Sequence, residues 1–356
     1  MTELEELAVA FDESLANLLP MPELLDSARR DSELEAKIRE QIYGLGWPTV
    51  ALNQEQGGLD LGAVGVCALA MVAGRRLLPA SWRDEALLLI PCLAMSADAG
   101  DREAEGLLAN TIQRGGTGGG VGLRAGQDLV LDSTTGSANA SFSRLAFFVP
   151  SGGRLVAVVG HGRAVVVEIA GSGVTSESSR ALDLGQGAVF LTAESTPLTD
   201  TRLLVGEEVE LVAQIWRAAL LAEAVGAAEQ ALALAVDHAT TREQFGQTLA
   251  SFQVVSHMLA EMKKRIELGR SPVSMMANAL ETRKTDGGLM AAYSYAIPQF
   301  CREVVESAIQ VHGGIGFTWE YGLHLYYRRV LQIQARLGGK NETLVEVGRK
   351  AVASMA

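Results

Sequence analysis

The chain has 356 residues, with 42 Asp plus Glu against 30 Lys plus Arg and a formal charge of −12. At 48% hydrophobic and 20% charged it is too apolar for a disordered chain, and it is long enough for about two domains of ~100–200 residues each. The acidic balance argues against nucleic acid as a partner, and three cysteines, Cys67, Cys92 and Cys301, without metal-type spacing exclude a disulfide framework and a closed cysteine zinc site.

The opening residues, Met1 to Glu6, lack the charged-then-apolar order of a signal peptide, so a reducing cytoplasm is the expected compartment. Apolar residues then recur at helical spacing (Leu4, Leu7, Phe11, Leu15; Leu34, Ile38, Ile42), with breaks at Pro20–Pro22 and Gly44–Pro48. Two helices are expected there. Further helices follow over Leu61–Leu78 and, as a pair, over Trp82–Gln113, so residues 1–113 read as an α-helical domain.

The glycine-rich passage Arg114–Gly122 lacks the Gly-Lys-Ser/Thr end of a phosphate loop. Its near match to a dinucleotide fingerprint follows no apolar strand, and it reads as a flexible domain-joining loop. Short β-branched runs (Leu145–Val149, Leu155–Val159, Ala164–Ile169, Ala188–Thr192) then mark a β domain over 114–206. From Glu207 to the end the pattern is helical again, with one apolar face through Leu211, Ile215, Ala218, Ala222 and Val225, then three further helices, about Phe252 to Arg283, Gly288 to His312 and Glu320 to Arg336, and a last amphipathic turn near Thr343 to Val352. The alanine-rich stretch 211–236 carries Arg217, Glu223 and Glu229, which suits bundle core or subunit interface rather than a membrane span.

Few residues carry chemistry. The five histidines show no metal-type pairing, and each reads as structural or surface; no metal is expected. No G-x-S-x-G elbow appears, and Lys263-Lys264-Arg265 sits beside Glu261 and Glu267 as a solvated, paired helix face. More specific is the run Thr241-Arg242-Glu243-Gln244-Phe245-Gly246, leading to Phe252-Gln253, which sets an Arg between two helices and opens the second with free donors. A second cluster, Gln310-Val311-His312-Gly313-Gly314-Ile315-Gly316, ends one helix with glycines that admit a ligand to the backbone.

In this order, the two motifs resemble the C-terminal domain of the acyl-CoA dehydrogenase family, flavoenzymes that introduce α,β-unsaturation into acyl-CoA thioesters. Gly46-Trp47-Pro48 and Glu55-Gln56-Gly57-Gly58-Leu59 resemble the family's N-terminal stretch. The resemblance implies an α+β multi-domain fold: a helical domain (1–113), a middle β-barrel or sandwich (114–206) and a C-terminal four-helix bundle (207–356). It also implies that Arg242, Gln244, Phe245, Gln253, Gln310, Gly313 and Gly314 bind the ADP and pyrophosphate part of an FAD held largely by a neighbouring subunit.

The sequence departs from the family at the catalytic base. Ungapped counting puts Leu337 at the usual glutamate position and Trp216 at the alternative one, and neither side chain accepts a proton. The family's Thr-Glu-Pro, Gly-Ser-Asp and Trp-x-x-Thr/Ser sequences are missing from the β segment, where Asp132–Gly136 is at best a remnant. The leading reading is therefore a noncatalytic, FAD-sharing subunit of an α2β2 acyl-CoA dehydrogenase, of the kind that acts on steroid side-chain thioesters. A self-sufficient enzyme with a relocated carboxylate (Glu207, Glu208, Glu210, Glu320, or Glu342 if a gap lies near 334–339) and a flavin-free pseudoenzyme stay open.

Overall fold

The computed structural model describes residues 3–18, 32–115, 118–123, 127, 129–134, 137–148, 154–171, 173–182, 187–198 and 203–353. They fall into two compact units: Met1–Asp26, Cys67–Leu78 and Ala218–Ala356 make one, and Ser27–Val66 with Pro79–Arg217 the other.

The second unit holds helices α1 (Ser32–Gly44), α2 (Ala80–Asp84), α3 (Ile90–Asp98) and α4 (Arg102–Arg114) and two four-stranded sheets. The first sheet orders β1 (Gly118–Gly122), β4 (Leu155–Gly160), β5 (Arg163–Glu168) and β8 (Leu203–Val205). The second orders β2 (Val130–Thr134), β3 (Ser137–Phe148), β7 (Gly187–Leu198) and β6 (Val174–Arg180). Alternate residues of both, including Val156, Val158, Val165, Phe142, Phe147 and Leu191, share one core, so the middle segment is a sandwich.

The glycine passage is not a linker. Residues 118–122 form a buried strand, β1, that pairs parallel to β4 with Gly118 opposite Leu155. The reason lies on its outer face. A Cβ on Gly120 would stand 2.6 Å from Leu88 Cβ, and one on Gly122 would stand 2.4 Å from the Trp216 ring. Glycine removes the side chains so that Leu88, on the π-helical turn Glu85–Leu89, and the Trp216 indole reach the strand backbone. Sequence alternation cannot show a strand made of glycine.

Buried polar groups fix that turn. Tyr43 donates its hydroxyl to Glu85, whose other oxygen accepts from Gly118 N at 3.1 Å, and Asp84 accepts from Trp216 Nε1 at 2.9 Å.

The first unit holds α5 (Glu3–Leu18), residues 67–78 and the C-terminal helices. These are the part of α6 (Glu207–Thr241) from Ala218 onward, then α7 (Gln253–Glu281), α8 (Gly287–His312), α9 (Leu323–Arg336) and α10 (Gly339–Ala353). Helix α6 carries an apolar window of membrane-spanning length, and 67% of that window is buried. Its small residues let neighbours come close. A Cβ on Gly226 would stand 1.9 Å from Met71 O, and one on Gly74 would stand 2.0 Å from Glu223 O, so two helices cross with their backbones in contact. Beside that crossing Arg329 and Glu223, both buried, pair at 2.6 Å, and Arg329 also donates to Leu78 O at 2.9 Å. The fold is that of helices, a middle β-sandwich and a C-terminal helical region, in the order the resemblance implies.

Candidate functional site

The first motif begins where α6 stops. Thr240 and Thr241 turn their hydroxyls back to the carbonyls of Val236 and Asp237 (2.9 and 2.8 Å), satisfying groups the helix end leaves open. Arg242 N donates to His238 O at 2.9 Å, and Glu243–Gln244 then pairs with Gln247–Thr248 as a short hairpin. Its two turn residues, Phe245 and Gly246, have φ of 54° and 78°, as a two-residue hairpin of the primed kind requires. Glycine adopts this freely, whereas Phe245 is strained there and is also 94% exposed. Leu249 N returns to Arg242 O at 2.9 Å. Helix α7 then opens at Gln253 with no side-chain cap, leaving its first N–H groups unclaimed by one.

The second motif ends α8. Its three glycines answer to different demands. Gly313 takes φ 64° and caps the helix, its N–H reaching Gln310 O. Gly316 is held by packing, since a Cβ would meet Ile309 O at 2.7 Å. Gly314 has neither demand: it is exposed, its φ is not positive, and nothing lies within 4 Å of its Cβ position. An open backbone of this kind admits a ligand.

Aromatic rings bring the two motifs together. His238, one helical turn before Arg242, stacks on His312 with centroids 4.4 Å apart and planes 23° from parallel. Tyr321, on the turn Trp319–Tyr321, lies 4.5 Å from His312 and 6.2 Å from His238. Burial holds both imidazoles below the ordinary histidine range, with Arg242 adding to the effect at His238. Sequence reading treats each histidine alone and misses this joint, whose one visible signal is that His238 precedes Arg242 by a turn.

Several polar groups of the two motifs are uncommitted. Arg242 is exposed and makes no ion pair among the described residues, whereas Arg75, Arg265, Arg270 and Arg329 each pair with a carboxylate. Gln253 and Gln310 are also exposed, while the Gln244 amide rests on Glu243 O at 2.8 Å. An unneutralised guanidinium, uncapped helix N–H groups and a bare glycine backbone are each donor types that suit a phosphate or pyrophosphate anion. In residue type they fit the diphosphate group of a dinucleotide.

A family model described as "Acyl-CoA dehydrogenase, C-terminal domain" matches residues 212–353. Acyl-CoA dehydrogenase FadE34 of Mycobacterium tuberculosis is 31% identical over 314 residues, which are 86% of this chain and 41% of that protein. Residues 212–353 therefore belong to the acyl-CoA dehydrogenase family as its C-terminal domain. Acyl-CoA dehydrogenase IpdE2 of the same organism is 38% identical over 110 residues, 31% of this chain and 33% of its own. The chain therefore spans less than half the length of these two relatives. Among solved structures, a Tcur3481-Tcur3483 steroid ACAD superposes with a TM-score of 0.83 at 24% identity, covering 99% of this chain and 98% of that one. The ChsE4-ChsE5 complex from Mycobacterium tuberculosis gives 0.81 at 20% identity and the same coverage, so both share the fold.

In this chain, the two positions counted as the catalytic base hold buried side chains. Trp216 is 1% exposed and fixed by Asp84, and Leu337 is buried at the C-cap of α9. Of the other carboxylates, Glu210 accepts from Gly162 N at 2.9 Å and from Gln214, and Glu207 and Glu208 are exposed in the first turn of α6. Glu320 is exposed on the turn beside Tyr321. Glu342 lies on α10, and its side chain is outside the described residues. Cys67 and Cys92 are buried, and burial pushes their thiols up to about 12, which keeps them protonated and unreactive.

Proposed function

We propose that this chain is one subunit of a heteromeric FAD-dependent acyl-CoA dehydrogenase, lending the ADP and pyrophosphate half of the FAD site to a homologous partner that carries the catalytic glutamate. Arg242 would take pyrophosphate oxygens in its fork of donors, with Gln310, Gly313 and Gly314 approaching from the end of α8. Gln244, Phe245 and Gln253 would border the same region. Bound flavin supplies a hydride acceptor for desaturation of an acyl-CoA thioester.

One observation carries the reading. The donor set around Arg242 is exposed and unneutralised, while Trp216 and Leu337, where a base would stand, are buried and fixed. The relatives support it further. FadE34 has more than half its length outside the match, enough for a second unit of this size, and two structures of the same fold are named as two-component proteins. The description of one of them as a steroid ACAD supports a steroid thioester as the substrate class, and an α2β2 assembly is the form this reading takes. A second reading, an enzyme sufficient by itself, has Glu320, exposed on the turn beside Tyr321, as a candidate carboxylate.

The test is the flavin-to-protein ratio, read from visible absorbance, of the chain alone and after co-expression with a homologous chain bearing a glutamate at the base position. Flavin held only by the mixed complex, one for each pair of chains, is the expected result. Full occupancy and dehydrogenation by this chain alone would overturn it, and a mixed complex without flavin would point to a structural role.

A further inference from the structure

We propose that the ring cluster of His238 stacked on His312, with Tyr321 tilted against them, is the positioning element of the anion site, setting Arg242 in register with the Gln310–Gly314 turn. The inference rests on the reading of Arg242 and Gln310 as pyrophosphate ligands and goes beyond it by naming what holds them together.

The argument begins with what is missing. Among the described residues no hydrogen bond or ion pair joins the loop 242–252 to the segment 310–321. The rings make that connection. His238 sits one helical turn before Arg242, whose N–H bonds its carbonyl at 2.9 Å, so a displacement of the His238 ring is transmitted to the arginine backbone. On the other side His312 lies between Gln310 and Gly313. Its Nδ1 is 2.7 Å from Ala308 O, and a carbonyl only accepts, so Nδ1 carries the proton and the ring plane is fixed. His312 is buried, and its Nε2 has no hydrogen-bond partner among the described residues.

Charge agrees with geometry. Protonating this pair would put a cation 4.4 Å from a second imidazole and close to Arg242, with only Asp237 opposing at His238. Both rings therefore stay neutral at neutral pH and stack without repulsion, leaving the arginine as the local positive charge offered to an anion. Tyr321 closes a further side of the stack from a separate turn.

The test uses the full chain, with ADP as probe, by isothermal titration calorimetry at neutral pH. Aromatic pairs contribute enough that His238→Ala should weaken ADP binding by about two- to tenfold, while circular dichroism and the melting temperature report whether the fold is kept. The deciding comparison is His238→Phe against His238→Leu, which both fill the space but differ in the ring. Affinity restored by Phe and not by Leu is expected. Equal affinities in the two, or no loss in His238→Ala while Arg242→Ala abolishes binding, would overturn the positioning role and leave the site itself standing. No ADP binding by the unmodified chain, or no effect of Arg242→Ala, would remove the site and this inference together.

Discussion

At the scale of single residues, the histidines link the site to pH. His238, His312 and His324 all sit below the ordinary value of 6.5, burial being the largest cause at each. The unfolded chain therefore binds more protons than the folded one as pH falls past that value. Their contribution to stability is complete above 6.5 and is lost as pH drops through the lowered folded-state values. The melting temperature should be lower at about pH 5.5 than at about pH 7.5, and His312→Phe should reduce the difference. A flat profile in the unmodified chain would contradict the burial of these rings. Motif reading singled out Arg242, Gln310, Gly313 and Gly314 because an anion site would restrict residue type. It could not reach the stack, since nothing in sequence spacing brings residue 238 to residue 312.

At the scale of elements, glycine has opposite meanings in different places. Gly74, on the helix Gly62–Arg75, and Gly106, on α4, are both helical and would each gain up to ~1 kcal/mol of helix propensity as alanine. Gly106 has nothing within 4 Å of its Cβ position, whereas at Gly74 the added carbon would meet a backbone oxygen at 2.0 Å. Gly106→Ala should therefore raise the melting temperature and Gly74→Ala lower it, the overpacking cost of about 1–3 kcal/mol exceeding the propensity gain. Thermal unfolding followed by circular dichroism distinguishes them, and a rise in both would mean that the helices are not in backbone contact. Helices such as Gln253–Glu281 and Gly287–His312 were legible because their apolar residues recur at 3.6. Strand Gly118–Gly122 was not legible: its residues are small because Leu88 and Trp216 occupy the space, and that demand comes from positions distant in sequence.

At the scale of the whole molecule, distant segments are tied by charges that leave water. Arg329 meets Glu223 and the carbonyls of Leu77 and Leu78, joining three stretches of chain within one unit. Neutralising one partner leaves the other buried and uncompensated, so Glu223→Gln should cost about 3–5 kcal/mol and lower the melting temperature markedly. A shift no larger than that of a surface substitution would show that water reaches the pair. By itself, the sequence determined the order of helical, β and helical segments, the two motifs and the family resemblance they carry, because periodicity and anion chemistry are local properties of residue type. Only the tertiary structure decided that the glycine passage is a core strand, that two histidines join the motifs, and that Trp216 and Leu337 are buried structural side chains. Each of these depends on which side chains from remote positions fill the same space, and pattern along a chain does not record that.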